Sequence, residues 1–324
     1  MLLRTRRIAL RVGVACLWIL LAVGSVAQAD PLADVAASNK IIQRVQTVLG
    51  RLGFTGFEIG GGAALSLAMA ARQGAPLAWN DIDIRMVAPR KLDEKLMKKA
   101  TRALTRGGQA SLLPPGTLEF IDPEYNTVTK RTTLHSYGMG LRMADRTGAR
   151  YDIAVMRSKT ECRRSGFINA ERLFIPLGRN DSIERILTRL KTGSAEDVVA
   201  RGNLGLIEGN ALSVLAGKVS IDRFNQRRVL AQPELVALRF LRATDKLAGM
   251  KGGKVEARRD LAWLERNLPK AMAHAPESKD PSYVMQVSEQ AAKLLKSKNG
   301  PLLTAAKRMG LDLPALAQGK LTRR

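Results

Sequence analysis

The chain has 324 residues, of which 45% are hydrophobic but only 4% aromatic, and a formal net charge of +24. This length and apolar content allow two domains whose cores rest on aliphatic residues and Met, and the charge points to an anionic partner such as nucleic acid, nucleotide or a membrane surface. Two cysteines and two distant histidines, His135 and His274, exclude a disulfide framework, a zinc site of Cys/His ligands and a histidine-based triad.

Residues 1–29 read as a secretory signal. Arg4, Arg6, Arg7 and Arg11 form a basic segment without an acid, an apolar run follows from Val12 to Val23, and Ala27-Gln28-Ala29 is a small-residue cleavage site. The run is shorter than the roughly 20 residues a membrane span needs. Cleavage after Ala29, export to the periplasm or beyond and no remaining membrane span are therefore expected; an uncleaved anchor is the alternative. Cleavage would remove Cys16 and leave Cys162 alone, in the basic stretch 159–164.

Apolar residues at near-helical spacing across 33–52 predict an amphipathic helix. A glycine turn over 53–56 leads into a strand at Phe57–Ile59, then Gly60-Gly61-Gly62, then a helix of small residues over 63–72. Gln73–Pro76 breaks that helix, and Asp81–Val87 reads as a strand. Its two carboxylates, Asp81 and Asp83, leave the same face about 6.6 Å apart along the backbone. Helix-head amides beside converging acids suit metal ions that carry a phosphate chain.

A helix opens at Pro89 and runs to about Arg106, with Lys91, Lys95, Lys98, Lys99, Arg102 and Arg106 on one face and Leu92, Leu96, Ala100, Ala103 and Leu104 on the other. That basic face is either solvated or a surface for successive phosphates. A short strand follows at Thr117–Ile121. Asp145-Arg-Thr-Gly148 is the turn of a hairpin between 132–143 and 149–156. Asp152 interrupts the apolar second strand, which is costly unless the carboxylate faces water, is paired or binds metal. It is the natural third acid. Beyond Met156 the chain reads as helical: Asp181-Ser-Ile-Glu184 opens a helix to Lys191, Ser194 caps another, Pro233 opens one to Ala248, and 255–268, 283–296 and 302–309 complete the set. Residues 202–217 carry no clear pattern.

The order Ile59-Gly60-Gly61-Gly62, helix, Asp81-Ile-Asp83-Ile84, then Asp152-Ile-Ala-Val155 resembles the DNA polymerase β-type nucleotidyltransferase superfamily, and within it the bacterial abortive-infection nucleotidyltransferases. The resemblance covers roughly 40–157. It implies an α+β fold: a mixed-sheet nucleotidyltransferase core over 30–157, followed by a basic helical domain over 158–324. It also implies an NTP substrate and two Mg²⁺ ions, held by Asp81, Asp83 and Asp152. Gly60, Gly61 and Gly62 would contact the nucleotide phosphates. Asn80, in the place of a polar residue often found ahead of the acids, would be a further nucleotide contact. The acceptor would be an RNA, protein or small-molecule hydroxyl, with the basic surface available to hold a macromolecule. Two other readings stand beside this one: an exported, non-catalytic binding protein on the same scaffold, and a polyanion-binding envelope protein in which the acids are incidental.

Overall fold

The structure is a computed structural model that describes residues 34–79, 81–90, 94–105, 110–112, 120–121, 138–145, 150–156, 168–206, 210–221, 232–248, 255–274 and 281–321. The segment 1–29, Asn80, His135 and Cys162 lie outside the described residues. The chain is α+β and divides into two compact units, one spanning Asp30–Leu215 and the other containing Ala216–Arg324.

The first unit opens with α1 (Val35–Gly50), capped by Asp34, whose carboxylate accepts from Ala37 N at 2.9 Å. Then come β1 (Thr55–Gly60), α2 (Gly61–Gln73), β2 (Asp81–Val87), α3 (Glu94–Thr105), β3 (Ala110–Leu112), β4 (Phe120–Ile121), β5 (Gly138–Asp145) and β6 (Arg150–Met156). A 3-10 turn (Asn169–Arg172) leads to β7 (Leu173–Pro176), α4 (Ile183–Lys191), α5 (Ala195–Ala200), β8 (Gly205–Leu206) and α6 (Ala211–Leu215). The strands form one sheet in the order β3-β5-β6-β2-β1-β7-β8, with β4 also paired to β5. It is mixed: β2 and β6 are parallel, and the other pairs are antiparallel.

Strand alternation sorts this sheet into two unlike faces. One carries Ile59, Ile82, Ile84, Met86, Ile153 and Ile175, every one buried. Their register continues from strand to strand, Ile175 opposite Ile59, Ile59 opposite Ile84 and Ile84 opposite Ile153. Burying each such side chain is worth about 1.5–3 kcal/mol. The helix α2 packs against β1, β2 and β7, and α1 packs against α3. Small residues permit the close fit: Ala63, Ala64 and Ala68 are buried along α2 together with Leu65, Leu67 and Met69.

The division expected at residue 157 is moved to 215. The reason is pairing: β7 adds to β1, and β8 adds to β7, so the segment after the hairpin, with its helices α4, α5 and α6, belongs to the first unit. The segment 202–217 shows no clear sequence period because β8 and α6 are only two and five residues long. The cap of α4 also differs from expectation. Ser182 is the N-cap, its Oγ accepting from Arg185 N at 3.3 Å. Asp181 instead accepts from Gly178 N at 2.6 Å and pairs with Arg189 at 2.9 Å. Ser194 does cap α5, in a reciprocal box with Asp197 whose hydrogen bonds from the Ser194 backbone and hydroxyl hold the Asp197 carboxyl below its ordinary range.

The second unit holds α7 (Pro233–Ala248), α8 (Arg258–His274), α9 (Pro281–Ser297), α10 (Gly300–Arg308) and α11 (Leu313–Ala317). Helices α8, α9 and α10 all pack on α7, whose Leu235, Val236, Leu238, Phe240 and Leu241 are buried. Two acids on α7 are enclosed with partners: Glu234 accepts from the Tyr283 hydroxyl at 2.6 Å, and Asp245 accepts from Asn299 Nδ2 at 2.9 Å. Among the described residues, no helix is long and apolar enough to cross a membrane. Replacing Tyr283 by Phe leaves the enclosed Glu234 carboxylate without that donor. The substitution is expected to lower stability by about 1–3 kcal/mol, read as a shift in the urea midpoint at constant slope.

Candidate functional site

The second face of the sheet is charged, and backbone register aligns its residues in rows. Gly60 on β1 is the partner of Asp83 on β2, Asp83 of Asp152 on β6, and Asp152 of Arg142 on β5. One row along, Asp81 is the partner of Arg150; two positions the other way from Asp83, Arg85 lies between Glu58 and Ala154. Partners in register share a face, so Asp81, Asp83 and Asp152 occupy the same side of adjacent strands, although about 70 residues of chain separate the last two. The sheet therefore brings together the three acids singled out in the sequence.

The glycine run ends β1 and begins α2. Gly60 is the N-cap, with an extended backbone, and Gly61 is left-handed at φ 59°. Asp83, half-buried, packs its carboxylate directly on Gly61: a Cβ at that position would collide with Oδ2. Glycine is thus required at 61 twice over, by its positive φ and by the approach of the acid. The contact also sets a carboxylate at the amino end of a 13-residue helix, where the helix dipole favours negative charge. Further along α2, the buried Ser66 Oγ accepts from Ala78 N at 2.9 Å and ties the connection into β2 to the helix.

The period-two pattern that sets Asp81 and Asp83 on one face extends to Arg85. Arg85 is buried, its guanidinium lies on Gly60, and Nη2 donates to Glu171 O at 3.1 Å. Glu58, its cross-strand partner, is equally buried. Alternation alone could have flagged both. Arg142 and Arg150 could not have been found this way, because their places opposite Asp152 and Asp81 depend on strand pairing.

Pro89 and Arg90 precede the basic helix rather than open it, and its described residues run from Glu94 to Thr105. Lys95, Lys99 and Arg102 are exposed, whereas Ala100 and Leu104 are buried. Arg44 of α1 donates from Nε and Nη2 to Leu104 O, at 3.0 and 2.5 Å, and pins the end of α3. Lys91 and Arg106 lie outside the described residues, as does Asn80.

No protein-family model matches the chain, and no curated protein matches it. The site is therefore read from its own geometry. Gly61→Ala introduces a Cβ into a left-handed backbone and onto Asp83. It is expected to cost about 1–3 kcal/mol in chemical denaturation, with the Asp83 carboxylate displaced from the helix end.

Proposed function

We propose that the chain is a Mg²⁺-dependent nucleotidyltransferase, moving an NMP from an NTP to a hydroxyl of a nucleic acid, protein or small molecule. The observation that carries this reading is the register of β2 with β6, which sets Asp152 beside Asp83 on the face that also holds Asp81, next to the glycine start of α2. Three hard oxygen donors on adjacent strands suit Mg²⁺ chemically. When bound there, Mg²⁺ would supply charge neutralisation along the triphosphate and make the acceptor hydroxyl easier to deprotonate.

The chain's own residues do the rest. Asp81 and Asp83 would hold the metal shared with the triphosphate, and Asp152 would serve the acceptor side. The acceptor oxygen bonds to the α-phosphorus, the bond from that phosphorus to the bridging oxygen breaks, and pyrophosphate leaves with that electron pair. The acceptor proton passes to solvent. The amides at the start of α2 face the region where phosphate charge develops and favour it without reorganising. Exposed Lys95, Lys99 and Arg102 offer a polyanionic acceptor a place to bind.

Asp83→Asn is expected to lower transfer of labelled nucleotide by about 10²–10⁴ while the circular dichroism spectrum stays unchanged. Incubating the protein with each labelled NTP, Mg²⁺ and a cell extract measures this, and the species labelled identifies the acceptor. Wild-type transfer by Asp83→Asn would sink the reading.

A second reading, a non-catalytic binding protein on the same scaffold, is favoured by the arginines in register with two of the acids. Arg142 opposite Asp152 and Arg150 opposite Asp81 could neutralise this face without cations. It also removes the need for NTP, which is scarce in an exported setting. Calorimetry separates the two: the enzyme reading requires ATP or GTP binding that depends on Mg²⁺ and is lost in Asp81→Ala.

A further inference from the structure

The 17-residue helix α8 of the second unit carries its cations in one line. Leu264 and Leu268 are buried and mark the side it turns to the protein, where α7 and α10 pack on this helix. At about 100° per residue, Arg259, Arg266 and Lys270 fall within about 40° of one another on the opposite side. All three are exposed. They stand about 10 Å and then about 6 Å apart along the axis. The acids of the helix are kept off this line and are engaged elsewhere: Asp260 accepts from Ile221 N at 2.8 Å, and Glu265 pairs with Arg308 of α10 at 2.8 Å. Among the described residues, Arg259, Arg266 and Lys270 form no ion pair, and within α8 none of them has an acid three or four positions away.

A helix face that serves only solubility gains from acids at those spacings, whereas Arg266 and Lys270, four apart, repel each other and weaken the helix. The row is open to a large partner, because Ala262, Pro269 and Ala273 on its flank are exposed and small. On its other flank, between Arg259 and Arg266, stands the half-buried Trp263. Cations that track a backbone beside an aromatic ring on which a base can stack are what an unpaired strand requires. We propose that this face of α8 is a binding surface for single-stranded nucleic acid, with Arg259, Arg266 and Lys270 on backbone phosphates and Trp263 against a base. A lipid surface fits less well: the apolar side chains exposed along α8 are Ala and Pro, too small to enter the acyl boundary. The surface lies wholly in the second unit and does not depend on the acids of the first. Either can fail without the other.

The test is fluorescence anisotropy of a labelled oligothymidylate titrated with the full chain at several salt concentrations. The wild type is compared with Arg266→Ala/Lys270→Ala, with Trp263→Leu and with the control Lys296→Ala/Lys307→Ala, which removes equal charge from exposed positions of α9 and α10. Thermal melts followed by circular dichroism report folding in each. Losing two phosphate contacts from α8 is expected to lower the slope of log affinity against log salt by about 1.4, and the affinity about tenfold or more. The control is expected to match the wild type. Trp263→Leu is expected to weaken the oligonucleotide about fivefold or more and to leave inorganic polyphosphate binding unchanged. Weakening by the control equal to that of the α8 pair overturns the surface, since net charge alone then explains binding. Binding to phosphatidylglycerol vesicles that needs Arg266 and Lys270, without binding of the oligonucleotide, overturns it in favour of a membrane. Equal affinity for the matching duplex, or full affinity in folded Trp263→Leu, overturns the single-strand assignment. If Trp263→Leu does not fold, wild-type tryptophan emission decides, because Trp79 is only 7% exposed. Quenching by the oligonucleotide and not by polyphosphate is then expected, and its absence overturns the proposal.

Discussion

The pairing of β2 with its two neighbours is the constraint on which the rest of this sheet depends. Ile82, Ile84 and Met86 are 2%, 0% and 1% exposed on one face, while Asp81, Asp83 and Arg85 alternate with them on the other. A slip of one residue would turn three charged groups into the apolar layer and three aliphatic side chains out of it. Burying unpaired charges costs several kcal/mol for each ion, so no such slip competes with the observed register. The hydrophobic layer thereby sets the chemistry. Because Ile84 must stand opposite both Ile59 and Ile153, Asp83 must stand opposite Gly60 and Asp152.

From that register follows the glycine turn. The chain leaves β1 at the residue opposite Asp83 and enters α2 at once, so the first helical residue meets the carboxylate. Only glycine satisfies a left-handed backbone and that contact together. The next turn of the pleat sets Arg85 against Gly60, and its link to Glu171 draws in the segment that continues as β7. Strand, helix start, acid and arginine form one connected arrangement in which each small residue is explained by the larger group beside it.

Much of this was legible in the order of residues. The strand 81–87 has the expected bounds, α2 and α7 differ from expectation by two residues at most, and the turn expected at 145–148 lies largely outside the described residues. These segments carry strong local signals: period-two alternation, a Pro at a helix start, a glycine run. The failures share a cause as well. Elements β8 and α6 are too short to display a period, and α11, absent from the sequence reading, has five residues. The start of α4 differs by one residue because Asp181 and Ser182 are both good caps, and the contacts of Asp181 with Gly178 N and Arg189 take it out of that role. The boundary at 157 failed because β7 gains its strand identity from β1 and not from its own four residues.

By itself the sequence determined the amphipathic periods, the glycine run, the spacing of Asp81 and Asp83, and the singular polarity of Asp152 within an apolar strand. Each is a local property, written in neighbouring residues and governed by backbone geometry over a few positions. Only the tertiary structure decided that Asp152 lies in register with Asp83, that Arg142 and Arg150 stand opposite acids, and that Arg85 is enclosed against Gly60. Those facts depend on which strands pair and on what burial removes from water. Both are settled by packing free energy summed over the whole sheet, which no window of sequence contains.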